Sequence, residues 1–433
     1  MEIAAYIKSV LKKQFLHQIS FVTAGSLING ASLFLLNILL ARNLSQDIFG
    51  VFSLSVMVLS VVAEMSDFGL NAGLLRFAPY YLATNQEDKF KQIVKTILRW
   101  RLVLSLLLSI GGLALSYPIA RYILGQVKVA PYLTYTSLGI GGVVLLGFIA
   151  TFLQAKQRFF YNAALQSLKG VLRLSAALIF MVLGIKNVLV YLSVYIFVPW
   201  ILFFLNFKVL PKDLRKTIIE DDVRKKLHSQ LVRFSFWLTV SSLVAIFYSR
   251  VDQVMISHYL GLSEVAVFTV AWQLLQFFPI ISSSITSVLM PKISSLHEKD
   301  DLIIFLKRSF KWLILGVFGL AILVYPSQYL ITFLFGQKYL QAMPIYVVLS
   351  YSTLLNILII PFSLVIIIFH RTYITIISNF IQLVILVGCN FTFIPVYGMM
   401  GAAYTFAVSN VVLFLFTSMY AVYLIKKKDF KID

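Results

Sequence analysis

Three basic side chains lie inside long apolar stretches of the sequence, where a charge needs a physical reason. Lys169 and Arg173 lie in LQSLKGVLRLSAALIFMVLGI, and Arg250 lies in LVAIFYSRVDQVMISHYL. A charged residue at the centre of a membrane helix costs about 2.5–3.5 kcal/mol even on the lenient insertion scale. Charged residues in such stretches are therefore the first candidates for binding chemistry.

Lys169 and Arg173 are four residues apart, so they share one face of a helix. The apolar run after Arg173 is too short to span a membrane alone, so the membrane segment must extend back past both residues. Two like charges on one face repel each other, and a bound anion would relieve that repulsion. The alternative is that the long side chains reach up to the membrane surface, which suits Lys169 better than the deeper Arg173.

Arg250 and Asp252 form a second charged position, far from either end of their apolar stretch. Residues at i and i+2 point to different helix faces, so these two charges cannot neutralise each other well. One interpretation is a salt bridge from either residue to another helix. The other is functional: Arg250 is a cationic anchor for substrate, and Asp252 is a proton or sodium site.

Three more charged residues flank the end of the second apolar stretch, in VVAEMSDFGLNAGLLRF. Glu64 lies about one turn deeper than Asp67 and has a short side chain, so it needs a partner in protein or water. We predict that Glu64 contributes to ion coupling. Asp67 and Arg76 are predicted to form a polar network at the membrane interface.

Four amide side chains and one glycine predict contacts between helices. Amide side chains inside membrane helices usually form interhelical hydrogen bonds. This is the role predicted for Asn356, Asn379, Gln382 and Asn390. A glycine near a helix start permits close approach, so Gly401 is predicted to let the last helix begin against its neighbour.

Several kinds of chemistry are excluded by what the sequence lacks. The single cysteine rules out a disulfide framework, a cysteine-based zinc site and an iron–sulfur cluster. The five histidines form no zinc-binding pair, and no Walker A pattern is present. We therefore expect no metal, no cofactor and no nucleotide-driven transport. The energy source is expected to be a gradient of H⁺ or Na⁺ or the membrane potential.

The elements that position these residues must be membrane helices. Hydrophobic residues make up 60% of the 433 residues and charged residues only 12%, whereas soluble domains contain about 25% charged residues. A helix needs roughly 20 apolar residues to cross the bilayer. Twelve stretches qualify, near 18–41, 48–69, 101–123, 130–153, 163–185, 187–206, 234–259, 264–289, 308–326, 340–368, 372–394 and 399–424. They do not alternate as barrel strands do, so the predicted fold is an all-α polytopic membrane protein.

The basic residues predict the orientation of the spans. With twelve spans, 29 of the 37 Lys and Arg residues fall on the side of the termini, five on the opposite side and three within spans. This asymmetry follows the positive-inside rule and predicts a plasma-membrane protein with both termini in the cytoplasm. The net charge of +20 is then explained by the orientation of the protein in the membrane and by contact with anionic lipid head groups. Nucleic acid is not an expected partner.

The chain is predicted to contain two halves. A polar segment at 207–233 divides six spans from six, and a shift of 216 residues aligns the first span with the seventh without a gap. Thr23 then meets Thr239, and Ser26 meets Ser242. We therefore predict a six-helix lobe at 1–206, a cytoplasmic linker at 207–233 and a second six-helix lobe at 234–433. An even number of spans per lobe makes the two lobes parallel repeats.

Several motifs resemble one known family. They are LLARNLSQDIFGVFSLSVMV, SDFGLNAGLLRFAPYY, SRVDQVMISHYLGLSEVAVFTVA, LFGQKYLQAMPIYVVLS and IPVYGMMGAAYTFAVSNVV. In order and spacing they resemble Wzx-type oligosaccharide flippases, the polysaccharide transporters of the multidrug/oligosaccharidyl-lipid/polysaccharide exporter superfamily. The resemblance covers nearly the whole chain. It departs from the family pattern at Ala266, where a glycine is usual.

The resemblance implies a flippase rather than an enzyme. Its substrate would be an oligosaccharide on a polyprenyl diphosphate, turned from the cytoplasmic to the outer leaflet by alternating access, with polysaccharide polymerase or other biosynthesis proteins as partners. Lys169, Arg173 and Arg250 would meet the diphosphate. The alternatives within the superfamily are an ion-coupled multidrug or cation antiporter and a peptidoglycan-precursor flippase. A membrane-embedded sugar polymerase or ligase is less favoured because the outer loops are short.

Overall fold

The computed structural model describes residues 2–210, 225–296, 298–371 and 373–426, with side chains from residue 20 onward except those of 225–238. Within these ranges every regular element is a helix, so the predicted all-α membrane fold is confirmed. The predicted linker 207–233 falls largely outside the described residues, and its last part belongs to a helix that starts at Lys225.

The helices divide between two compact units. The first unit comprises Met1–Tyr122 and Val127–Leu243, and the second comprises Ile123–Gln126 and Val244–Asp433. Among the described residues, eight α-helices precede the long polar segment: α1 (Glu2–Asn43), α2 (Gln46–Met65), α3 (Leu70–Ala83), α4 (Glu87–Pro118), α5 (Ala130–Ser137), α6 (Ile140–Ala155), α7 (Phe159–Val182) and α8 (Val188–Asn206). Eight follow it: α9 (Lys225–Tyr259), α10 (Leu262–Leu275), α11 (Phe278–Ser294), α12 (Lys299–Ser327), α13 (Tyr329–Phe335), α14 (Ala342–Ile368), α15 (Tyr373–Tyr397) and α16 (Met399–Lys426).

Each of the twelve predicted spans coincides with one of these helices or with a broken helix pair. In the described part of the chain, ten helices are long and apolar enough to cross a membrane, and a pair bent by 47°, α5 with α6, brings the number to eleven. Helix α9 is not in that number, and its side chains before residue 239 lie outside the described residues.

The helix boundaries follow the predicted 216-residue repeat. Moving Gln46, where α2 begins, by 216 residues reaches Leu262, where α10 begins. The same shift carries the start of α7 to within two residues of the start of α15, and it places α6 within the range of α14 apart from its last turn. This agreement of boundaries supports an internal duplication.

Close packing of α1 on α7 positions the basic residues of the first unit. A Cβ atom added to Gly25 would lie 2.7 Å from the Cα atom of Ala163, and one added to Gly170 would lie 2.8 Å from the Cα atom of Asn29. Small residues at such crossings let two membrane helices approach closely. Because Gly170 directly follows Lys169, this contact fixes the rotation of α7 around its basic face.

Helix α14 organises the second unit. It packs against α10, α11, α12 and α16, and α15 packs against α16. At the start of α16, a Cβ atom added to Gly401 would clash with the carbonyl oxygen of Phe393. The last helix therefore begins in direct backbone contact with its neighbour, as the sequence predicts.

Replacing Gly401 with alanine is expected to destabilise the protein by about 2 kcal/mol, the usual range for overpacking against atoms that cannot move aside. Thermal unfolding of the purified protein in detergent measures the change. Gly388→Ala on α15 is the matched control, because a Cβ atom there has no neighbour within 4 Å and alanine favours a helix by up to ~1 kcal/mol over glycine. Equal melting temperatures for the two variants would contradict the close contact.

Candidate functional site

Arg173 is the most buried of the three predicted cationic residues. Its residue surface is only 8% exposed, and its guanidinium carbon lies 4.3 Å from the centroid of the Tyr195 ring on α8. A cation over an aromatic face gains electrostatic attraction, and more so away from water. The Nε atom of Arg173 has no hydrogen-bond partner among the described residues, so this guanidinium retains capacity to donate to an anion.

Lys169 lies one turn from Arg173 on the same face of α7 and is half-buried. Its Nζ atom donates to Oε1 of Gln166 at 2.7 Å. This contact directs the side chain toward the N-terminal end of α7, as expected for a lysine that extends toward the membrane surface. The face therefore carries one deep cation, Arg173, and one shallower cation, Lys169.

Amide groups border this basic face. Asn29 on α1 approaches Gly170, and its Oδ1 atom would lie 3.1 Å from a Cβ atom added there. Asn162 on α7 is 2% exposed. The Oδ1 atoms of both asparagines are buried without hydrogen-bond partners in the described structure. Both oxygens can therefore accept hydrogen bonds within an otherwise apolar helix pair.

Asp252 in the second unit is hydrogen-bonded to another helix. It is 6% exposed and accepts a hydrogen bond of 2.6 Å from Nδ2 of Asn390 on α15. Asn390 is fully buried, and its Oδ1 atom has no partner in the described structure. A buried carboxylate beside an unpaired amide oxygen offers two oxygen ligands of the kind that small hard cations bind.

Arg250 lies on the same helix as Asp252 but does not neutralise it. In the described part of the chain Asp252 is bonded to Asn390, and the Nε atom of half-buried Arg250 is buried without a partner. The i and i+2 spacing explains this separation, because the two side chains leave α9 in different directions. The second unit thus presents a cation and a carboxylate as separate groups.

The predicted amide contacts are confirmed at two positions. Asn390 bonds to Asp252 across α9 and α15, and Nε2 of Gln382 donates to Oδ1 of Asn410 across α15 and α16 at 3.0 Å. The second pair is buried at both ends. These bonds hold α15 between α9 and α16, and so keep Asn390 in place beside Asp252.

Arg101 on α4 is an additional charged residue that the sequence analysis did not single out. It is 3% exposed and forms an ion pair with Asp67. Its guanidinium also donates to the carbonyl and hydroxyl oxygens of Ser66 at 3.2 and 3.0 Å and to Oδ1 of Asn71 at 2.9 Å. The signal available in the sequence was an arginine at the end of a basic run, one helix after an interfacial aspartate.

Glu64, predicted for ion coupling, and Arg76, predicted to pair with Asp67, are both exposed. Glu64 lies near the end of α2, and Arg76 lies on α3 with its guanidinium carbon 5.5 Å from the Phe77 ring centroid. The structure thus places Arg101 rather than Arg76 against Asp67. Glu64 lies one turn before Asp67 in the sequence. It takes no part in the described hydrogen bonds of the Arg101 guanidinium.

Chemically, the two units carry different groups. The first offers Arg173, which stacks on Tyr195 and has an unpaired Nε atom, and the shallower cation Lys169, and this pair suits a phosphate-bearing anion. The second offers one cation and one buried carboxylate, which can hold a proton or a small cation. In the described ranges His, Cys, Asp and Glu side chains do not gather in threes as a metal site would require.

Comparison with known proteins identifies the family and the fold of this chain. A family model described as polysaccharide biosynthesis protein matches residues 15–297, more than half of the chain. An uncharacterized membrane protein of Methanocaldococcus jannaschii is 23% identical over 372 residues, covering 81% of this chain and 71% of that protein.

Two solved transporters share the fold over nearly their whole length. An inward-facing multidrug resistance MATE family transporter of the MOP superfamily superposes with a TM-score of 0.73 at 15% identity, over 93% of this chain and 94% of that one. The lipid II flippase MurJ, in an inward closed conformation, superposes with a TM-score of 0.70 at 14% identity, over 94% and 91%. At such identities the likeness establishes the fold of this chain.

Proposed function

The chain belongs to the polysaccharide biosynthesis protein family, and from this membership we propose that it is a flippase for a polyprenyl-diphosphate-linked oligosaccharide. It turns the lipid-linked sugar from the cytoplasmic to the outer leaflet of the plasma membrane during surface polysaccharide biosynthesis. The protein acts in transport and catalyses no covalent step. Its partners are the lipid-linked substrate, the surrounding bilayer, and a polysaccharide polymerase or other biosynthesis protein that takes up the product.

The observation that carries this proposal is the basic face of α7. Arg173 is a buried guanidinium whose nearest described electrostatic contact is an aromatic ring rather than a carboxylate, and Lys169 shares its face. A diphosphate supplies the negative charge that two such cations lack, and an arginine can bind phosphate oxygens through paired hydrogen bonds. The apolar helices around them provide the low dielectric in which that attraction is strong.

Translocation follows an alternating-access scheme. Lys169 and Arg173 in the first unit, and Arg250 in the second, are each proposed to bind the diphosphate during translocation, while the polyprenyl chain stays in the bilayer. One repeat moves against the other, so that the head group is released on the opposite side. The chain carries no Walker A nucleotide-binding motif, so the energy source is an ion gradient or the membrane potential, worth about 2.3 kcal/mol per charge at 100 mV.

Asp252 is the proposed coupling residue, with Glu64 as a second candidate. The support for Asp252 is its burial and its hydrogen bond to Asn390. A bound H⁺ or Na⁺ would neutralise the carboxylate, and its release would restore a charge beside α15. Glu64 is exposed, so it would bind the ion outside the buried site.

Two other functions have specific support from the fold. A multidrug or cation antiporter is suggested by the MATE structure, and a peptidoglycan-precursor flippase by the lipid II flippase. An exporter of cations should carry mainly acidic groups in its helices. Here Lys169, Arg173 and Arg250 outnumber Asp252, which favours an anionic, diphosphate-bearing substrate.

Deletion of the protein from its host is the test of this function. We expect lipid-linked glycan intermediates to accumulate on the cytoplasmic side and surface polysaccharide to be lost, with both effects reversed by the intact gene. Mass spectrometry of extracted lipids identifies the sugar. Unchanged lipid-linked glycans together with a new sensitivity to cationic drugs would instead support the antiporter.

Arg250→Ala is expected to abolish export while leaving the protein in the membrane, because it removes the cationic anchor of the second unit. Surface polysaccharide and protein level are measured in the same cells. Lys338→Ala, a charge loss in a short loop outside the membrane-spanning helices, should leave export intact. Normal polysaccharide at normal protein level in the Arg250 variant would show that this residue is not an anchor.

A further inference from the structure

A lateral groove of about 730 Å³ lies between α11 and α12 in the second unit. Its walls combine two basic side chains with serine, aromatic and aliphatic side chains: Ser284, Ile285, Val288, Leu289, Lys292, Phe305, Arg308, Ser309, Trp312 and Leu313. All ten lining residues are described, and none is acidic. The groove is separate from Asp252, Arg250 and their partners.

At the position that corresponds to the groove, the first unit has a contact that the second unit lacks. In the first unit α3 packs on α4, and Arg101 of α4 binds Asp67 just before α3. A shift of 216 residues replaces Arg101 with Val317 and Asp67 with Ser283. Helices α11 and α12 accordingly pack on α14 rather than closely on each other.

The hydroxyl groups along α11 do not bridge the gap. Ser283 and Ser284 donate to the carbonyl oxygen of Ile280, and Ser287 donates to that of Ser284, all within the helix. The wall that α11 presents to the groove is therefore mainly its apolar side chains and Lys292. Such a surface has little capacity to bind the many hydroxyl groups of an oligosaccharide.

Apart from Phe305, the order of the lining residues along each helix matches the order of groups in a phospholipid. On α11 the aliphatic residues precede Lys292, and on α12 Arg308 precedes Trp312 and Leu313. Since α11 ends and α12 begins on the side that the basic residues predict to be cytoplasmic, both cations lie nearer that surface than these apolar residues. Trp312 is 65% exposed, as is common for tryptophan at a membrane interface.

We propose that this groove binds an anionic phospholipid of the cytoplasmic leaflet. Lys292 and Arg308 contact its phosphate, and an acyl chain lies along Ile285, Val288 and Leu313 between the two helices. The charge of the groove complements an anionic head group, and its apolar walls complement an acyl chain. The lipid fills the space that the Arg101 contact closes in the first unit.

Quenching of Trp312 fluorescence tests the proposal. The full-length protein is reconstituted in phosphatidylcholine vesicles that contain either brominated phosphatidylglycerol or brominated phosphatidylcholine at the same mole fraction. The signal of Trp312 is the difference between the protein and its Trp312→Phe variant. We expect phosphatidylglycerol to quench this signal preferentially, and the preference to fall by about tenfold in Lys292→Gln/Arg308→Gln, since each basic residue near a membrane surface contributes a severalfold preference for anionic lipid.

The matched control is Lys307→Gln/Lys311→Gln, which removes two exposed charges from α12 outside the groove and should keep the preference. The charge-conserving variant Lys292→Arg/Arg308→Lys should also keep it. Equal quenching by the two brominated lipids would overturn the proposal, and so would equal losses in both double glutamine variants. Displacement of brominated phosphatidylglycerol by polyprenyl diphosphate, but not by excess phosphatidylglycerol, would overturn it in favour of the carrier lipid.

Discussion

Arg173→Gln is expected to reduce flipping of lipid-linked oligosaccharide by about two orders of magnitude. The substitution removes a buried charge that would otherwise meet the substrate diphosphate, and loss of one partner of a desolvated charge pair costs about 3 kcal/mol. Glutamine keeps a similar length and some hydrogen-bonding capacity, so it tests the charge itself. The measurement is transfer of a labelled lipid-linked oligosaccharide across the membrane of reconstituted vesicles.

Two comparisons make this experiment specific. Arg173→Lys keeps the positive charge but loses the planar fork that binds two phosphate oxygens, so it should retain part of the activity. Arg121→Gln removes an exposed arginine outside α7 and should retain nearly all of it. If Arg173→Gln transports normally at a normal melting temperature, the basic face of α7 does not bind substrate and the proposed function loses its main support.

Asp252→Asn is expected to uncouple transport from the ion gradient. Asparagine preserves the size of the side chain and an oxygen that can accept the hydrogen bond from Asn390, so the fold should be maintained. The charge that binds H⁺ or Na⁺ is lost. Vesicles containing the variant should flip substrate at a rate that no longer changes with an imposed pH or sodium gradient, while the wild-type rate rises with one of them.

Asp300→Asn is the control for this second experiment. Asp300 is an exposed acid in the first turn of α12, so its neutralisation changes the net charge of the protein equally without affecting the buried site. This variant should keep the ion response. An Asp252 variant with an unchanged response to both gradients would exclude this residue from coupling and direct attention to Glu64 or to the membrane potential.

The predicted interfacial network of Asp67 and Arg76 illustrates the limit of sequence reasoning. The residues were grouped because they are close in the sequence and flank a span. In the structure the ion-pair partner of Asp67 is Arg101, 34 residues away on the next membrane helix. In the sequence, Arg101 is one of many basic residues on the predicted cytoplasmic side. Its burial distinguishes it from the others, and burial is known only from the packing of the helices.

The amino-acid sequence by itself determined the fold class, the positions of the spans and the shared face of Lys169 and Arg173. These properties depend on local quantities: the apolar length of a segment and the spacing of residues along one helix. Only the tertiary structure decided the partners, such as Tyr195 for Arg173 and Asn390 for Asp252. The last two are 138 residues apart, and which helices meet depends on close contacts such as that at Gly170, which no local pattern encodes.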